Sequence, residues 1–166
     1  ARPDRVPASE KGGPGLGVKR KPLVSDADAE ILSGAGRRTS ESWTHARVAA
    51  ARPEVSSVLH ANPLACVALT QSGEPRRVVH NQGGVFVDGV PEYERVGLIR
   101  SPALGDLVAQ RLGKGVAVMM RGHGITTALP DVPAATVAAC FLEESVRLQL
   151  DMLASAGGDA SRLRAY

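Results

Sequence analysis

Val116–Met120 is an unbroken apolar run rich in residues that favour strands. Arg121-Gly122-His123-Gly124 interrupts it, and Ile125–Ala128 resumes it. As a strand, such a run is buried on both faces. The rest of the body alternates helical and extended patterns. A helix is expected from Thr39 or Ser40, as cap, to about Ala51, where Arg52-Pro53 ends it. A short strand, Val55–Leu59, leads into His60. A helix over Leu64–Gln71 stops at Gly73, and Val78-Val79 and Val85–Val87 read as short strands. Ser101-Pro102 opens a helix that stops at Gly113. The longest helix starts at Pro133 and runs to about Ser155, with a wide apolar stripe that includes Ala134, Val137, Phe141 and Val146. The expected architecture is a layered α/β domain.

Composition narrows the function classes. The chain has 166 residues and a net charge of +3, but residues 1–22 alone carry +4 and the remainder −1. The basicity belongs to a tail with four Pro and four Gly in its 22 positions, expected to be extended or disordered. The tail has no apolar stretch suited to a secretory signal. The expected organisation is a basic tail over 1–22, a domain over 23–156 and a C-terminal tail over 157–166. A near-neutral body with 3% aromatics offers no stacking platform, so no nucleic-acid partner is expected. No run reaches the ~18 apolar residues of a membrane span. Cys66 and Cys140 are too few for a zinc cluster or a disulfide framework and read as buried free thiols of a cytoplasmic protein.

Two histidines occupy positions where α/β folds place reacting groups. His60 ends a buried strand just before a helix, and His123 sits in a glycine-bracketed turn between two buried strands. Taken singly, each reads more readily as a satisfied, partly buried histidine.

Together the motifs carry more. Arg37-Arg38-Thr39-Ser40-Glu41, His45, the stretch Arg52–Pro63 and Arg121-Gly122-His123-Gly124 follow in order. With His80–Phe86, Gly89-Val90-Pro91 and Leu142–Leu150 they make the chain resemble the class II aldolase/adducin family over about residues 23–155. The middle is most similar to decarboxylase-like members. The resemblance implies a three-layer α/β/α domain with a central mixed, largely antiparallel sheet. It implies Glu41 as acid/base and His60 and His123 as ligands of one divalent metal ion, whether zinc, manganese, magnesium or iron. It also implies a homo-oligomer, typically a tetramer.

A metal held by neutral imidazoles is a Lewis acid that stabilises the carbanion left when a C–C bond breaks, and a nearby carboxylate moves the proton. The other aldolase route needs a lysine Schiff base. After the tail the only lysine is Lys114, between two glycines.

The pattern has departures. Asn62 stands where the resemblance implies a second histidine. Asn62-Pro63 suits a helix N-cap and first turn, which is the favoured reading. The alternative is an amide-oxygen ligand, better suited to a hard ion than to zinc. His80 or a carboxylate would then complete the ligand set. The family's phosphate-binding loop has no counterpart here, so an unphosphorylated oxo- or hydroxy-carboxylic acid is the expected substrate. Arg121 would hold its carboxylate; Arg37 and Arg38 read as solvated. His45, one turn after Glu41, is either its orienting partner or a surface neighbour. Glu143 and Glu144 read as a solvated edge.

The leading expectation is a metal-dependent carbon–carbon lyase, a decarboxylase more than an aldolase. Two alternatives are an iron-dependent oxygenase of the same fold, with a lysine-poor, Arg-rich composition that suits secondary metabolism in a GC-rich bacterium, and a non-catalytic adducin-like interaction module. The geometric expectation is that ring nitrogens of His60 and His123 approach to roughly 3–4 Å, as ligands of one ion do.

Overall fold

The computed structural model describes residues 6–8, 23–34 and 38–166. Most of the expected tail, and Arg37, lie outside the described residues. Within that tail, β1 (Val6–Ala8) pairs antiparallel with β2 (Leu23–Ser25), which pairs in turn with β3 (Ile31–Ser33).

The second sheet carries the body. Its strands are β4 (Ser57–Ala61), β5 (Glu92–Tyr93), β6 (Ala117–Met120) and β7 (Gly124–Leu129), in the spatial order β4-β7-β6-β5. The β4–β7 and β6–β7 pairs are antiparallel and β5–β6 is parallel. The sheet is therefore mixed and largely antiparallel, as expected. Successive side chains of a strand point to opposite faces. Val118, Met120 and Ala128 face one layer, with α1 (Ser42–Ala51) and α3 (Pro102–Leu112). Ala117, Met119 and Ile125 face the other, with α2 (Leu64–Ser72) and α4 (Val132–Ser155). Every residue of β6 is buried. This is the consequence of the uninterrupted apolar run, and the three-layer reading holds.

Helix ends follow their chemistry. Ser101 caps α3 through Leu104 N–H and Asp131 caps α4 through Ala134 N–H, each with Pro in the first turn. Three local expectations need correction. Neither Val78-Val79 nor Val85–Val87 forms a strand. Residues Asn81–Phe86 form a 3-10 helix instead, and the sheet position beside β6 goes to Glu92–Tyr93. The apolar Phe86 is buried against the α2/α4 layer, and the preceding loop is pinned to α4. Gln149 accepts from Arg77 N–H and donates to the Pro75 carbonyl, both at 2.8 Å. The residue at the N-cap of α1 is Glu41, not Thr39 or Ser40, and its side chain makes no cap bond. Glu143 is no solvated edge. It reaches from α4 to accept from Ala65 N–H (3.4 Å) and Cys66 N–H (3.3 Å), capping an α2 terminus that has no side-chain cap of its own.

After α4, Ala160–Arg162 forms a 3-10 turn and Tyr166 N–H bonds the Val78 carbonyl at 2.9 Å. Among the described residues no helix is long and apolar enough to cross a membrane.

Candidate metal centre

Three elements deliver three side chains to one place. β4 brings His60. In the β4–β7 register it pairs with Thr126, and its Nδ1 lies 3.2 Å from Thr126 Oγ1. That hydroxyl donates to Met120 Sδ at 3.4 Å, so towards the imidazole it accepts, from Nδ1–H. The proton is then on Nδ1 and the lone pair on Nε2 is free.

The turn between β6 and β7 brings His123. Gly122 has φ +61°, in the left-handed region that favours glycine. Gly124 lies so close to β4 that a Cβ there would come within 2.2 Å of the Ala61 carbonyl oxygen. The two glycines that bracket His123 are thus requirements of the turn.

The start of α1 brings Glu41. One helical turn on, His45 Nδ1–H donates to the Val58 carbonyl at 3.0 Å and ties α1 to β4. His45 is therefore neither a surface neighbour nor bonded to Glu41; it fixes the helix on which Glu41 sits.

Glu41, His60 and His123 each offer one ligand atom, and these atoms all lie within 4.8 Å of one another, against an expected histidine separation of roughly 3–4 Å. The two imidazole centroids are 4.9 Å apart with planes at 65°. His123 Nε2 is 3.8 Å from Glu41 Oε1. Both Glu41 carboxylate oxygens, His60 Nε2 and His123 Nδ1 are buried without a hydrogen-bond partner. Leaving such groups unpaired costs about 1–3 kcal/mol each, more for a charge. Burial, and then the neighbouring His123 and His45, push the His60 pKa down to about 4. Burial also lowers that of His45. His60 is neutral at pH 7 and has a lone pair to give. A divalent cation fits this donor set: it would engage His60 Nε2, the Glu41 carboxylate and His123 Nε2, the ring nitrogen that faces Glu41, and so offset the buried carboxylate.

The other expected residues are placed differently. Asn62 does not cap α2, whose N-cap position is Pro63; its Nδ2–H donates to the His123 carbonyl at 2.7 Å. His80 is not in the cluster. It precedes the 3-10 helix, its Nδ1 beside Gly83 and Ser145, because the chain there never enters the sheet. Arg121 is exposed at the turn, its N–H on the Tyr93 carbonyl. Arg38 pairs with Glu30 and stacks 5.0 Å from the Trp43 ring centroid. Cys66 is fully buried, and burial with the adjacent Glu143 carboxylate pushes its thiol up to about 12, so it is inert; Cys140, expected to be buried as well, is exposed on the outer side of α4. Sequence reasoning missed Thr126 as the partner of His60. The only signal would have been the strand register, which pairs residues 66 positions apart.

Residues 19–150 match the family described as Class II Aldolase and Adducin N-terminal domain. The chain belongs to this family. Among curated relatives, the 3,4-dihydroxyphthalate decarboxylase of Terrabacter sp. (strain DBF63) is 32% identical over 121 residues, 70% of this chain and 51% of that protein. That of Rhodococcus jostii (strain RHA1) is 34% identical over 119 residues, 69% of this chain and 49% of that protein. The chain thus spans about half the length of the curated relatives it matches. Among solved structures, an L-fuculose 1-phosphate aldolase superposes with a TM-score of 0.80 at 18% identity, covering 94% of this chain and 73% of the other. A sugar-phosphate aldolase from Thermotoga maritima gives 0.67 at 26% identity, covering 78% and 60%. At under 25% identity the first of these shows the class II aldolase fold alone.

Proposed function

We propose that this class II aldolase-type domain serves a metal-dependent carbon–carbon lyase. The reaction would be decarboxylation of a small unphosphorylated aromatic acid bearing hydroxyl groups. The reading is carried by one observation: three side chains from three elements bring one ligand atom each within 4.8 Å of one another, with both Glu41 oxygens and His60 Nε2 buried and unpartnered. The substrate class is suggested by the relatives, which are named for 3,4-dihydroxyphthalate decarboxylation.

In this reading His60 Nε2, His123 and the Glu41 carboxylate hold one divalent ion. When bound, the ion supplies Lewis acidity towards a substrate oxygen. The protein does the rest. Thr126 keeps the His60 proton on Nδ1, so that Nε2 stays a ligand. Exposed Arg121 at the rim of the turn binds a substrate carboxylate bidentately. The C–C bond to the departing carboxylate breaks, its electron pair stays on the ring carbon, and CO₂ leaves. The Glu41 oxygen not engaged by the ion takes a proton from a substrate hydroxyl and passes it to that ring carbon, leaving the hydroxyl oxygen as the anion. Zinc, manganese, magnesium and iron remain the candidate ions. A homo-oligomer, a tetramer by family resemblance, belongs to the same reading.

Purified protein should contain near-stoichiometric divalent metal and release CO₂ from 3,4-dihydroxyphthalate or a related hydroxylated aromatic acid. A His60→Ala/His123→Ala double variant should lose both. Wild-type protein that stays metal-free after incubation with all four ions would contradict the proposal. A second reading has its own observation. Two histidines and one carboxylate with open positions is the ligand set of non-haem iron oxygenases. Iron-dependent consumption of O₂ with the same substrate, in place of CO₂ release, would select it.

A further inference from the structure

The two histidines are steadied in different ways. His60 has a side-chain partner in Thr126. His123 has none: its Nδ1 is buried and unpartnered, and its Nε2 faces Glu41 at 3.8 Å. A ligating histidine normally donates its second ring nitrogen to a group that fixes the ring. Without one, the aim of His123 depends on its backbone.

That backbone is gripped from two sides. On one side Asn62 Nδ2–H donates to the His123 carbonyl at 2.7 Å. Only the amide nitrogen can bond a carbonyl, so this contact also fixes which way the Asn62 amide faces. On the other side Thr70 Oγ1 accepts from Gly122 N–H at 3.1 Å. The Thr70 hydroxyl proton goes to the Val67 carbonyl at 2.9 Å, which leaves the oxygen as an acceptor. Thr70 is buried on α2, whereas Asn62 is exposed at the end of β4. The peptide that precedes Gly122 and the peptide that follows His123 are therefore held, one by each neighbouring element, and between them His123 N–H closes the turn on the Met120 carbonyl at 2.9 Å.

We infer that Asn62 is a positioning residue for His123, paired with Thr70 as a clamp on the turn, and not a ligand of the metal. The inference rests on the metal-binding reading above. It replaces both expected uses of Asn62: the amide neither caps α2, the favoured reading, nor gives its oxygen to an ion, and instead contributes its N–H to the turn. Such outer partners typically change metal affinity by about 10–100-fold when removed.

The test is titration of the full metal-free chain with Co²⁺, read by calorimetry and by the visible spectrum. Asn62→Asp decides between the two roles. Aspartate offers a stronger ligand oxygen but has no N–H, and its carboxylate would face the His123 carbonyl. The clamp predicts that Asn62→Asp and Asn62→Ala both weaken Co²⁺ binding by about 10–100-fold, with the wild-type spectrum at saturation. Thr70→Val should do likewise, and Thr70→Ser should restore affinity. Affinity kept or raised in Asn62→Asp, or a changed spectrum at saturation in Asn62→Ala, would make Asn62 a ligand and overturn the inference. Amide exchange in the metal-free chain provides an independent reading. The Gly122 and His123 N–H groups should exchange at least about tenfold faster in Asn62→Ala, while the β4–β7 amides keep their protection; unchanged exchange overturns the clamp. If wild-type protein binds no metal, the parent reading fails, and exchange still decides whether the clamp exists.

Discussion

Thr126 shows how much one hydroxyl can decide. It accepts from His60 Nδ1–H while donating to Met120 Sδ, and so selects the tautomer that leaves Nε2 free. Thr126→Val keeps the shape and removes the acceptor. Metal affinity should fall about 10–100-fold, and chemical denaturation should show a loss of about 1–3 kcal/mol for the stranded Nδ1–H. The depressed His60 pKa has its own signature in the metal-free protein. The unfolded chain takes up this proton as pH falls through about 6.5, the folded chain only near 4. Stability is therefore complete above about 6.5 and declines as pH falls towards 4, by on the order of 3 kcal/mol for this residue. His45, shifted in the same direction, adds to the decline. Denaturant midpoints measured between pH 4 and 7 should follow this course, and His60→Gln should flatten it.

Element by element, some of the structure could be read in advance and some could not. The three-layer arrangement was legible because β6 is apolar at every position and α4 carries a continuous stripe. Glu41, His60 and His123 stood out through their motifs. Glu143, His45 and Asn62 were misread for a common reason. Each makes a bond to a backbone group distant in sequence: Cys66 N–H, the Val58 carbonyl and the His123 carbonyl. Such bonds depend on how helices sit over the sheet, which neither spacing nor propensity encodes. Val85–Val87 was misassigned because β-branched residues favour strands only where a partner edge exists. Glu143 yields a prediction at this scale. It supplies the cap that α2 lacks, so Glu143→Ala should cost about 1 kcal/mol. Arg147, its exposed partner, should cost at most about 0.5 kcal/mol as Arg147→Ala. Parallel urea melts compare the two directly.

On the scale of the whole molecule, the sheet is a rigid floor whose β4 and β6–β7 ends carry the histidines, with α1 bringing the carboxylate over them. Leu142 is fully buried in the layer behind that floor, far in sequence from all three site residues. Leu142→Ala should cost about 2–5 kcal/mol in global stability, measured by denaturant unfolding. The most direct test of the central claim is anomalous diffraction from crystals of the metal-loaded protein. A single ion is predicted at bonding distance, roughly 2.0–2.2 Å, from His60 Nε2, a His123 ring nitrogen and a Glu41 oxygen. An ion bound elsewhere, or no ion between these three side chains at saturating metal, would contradict the account.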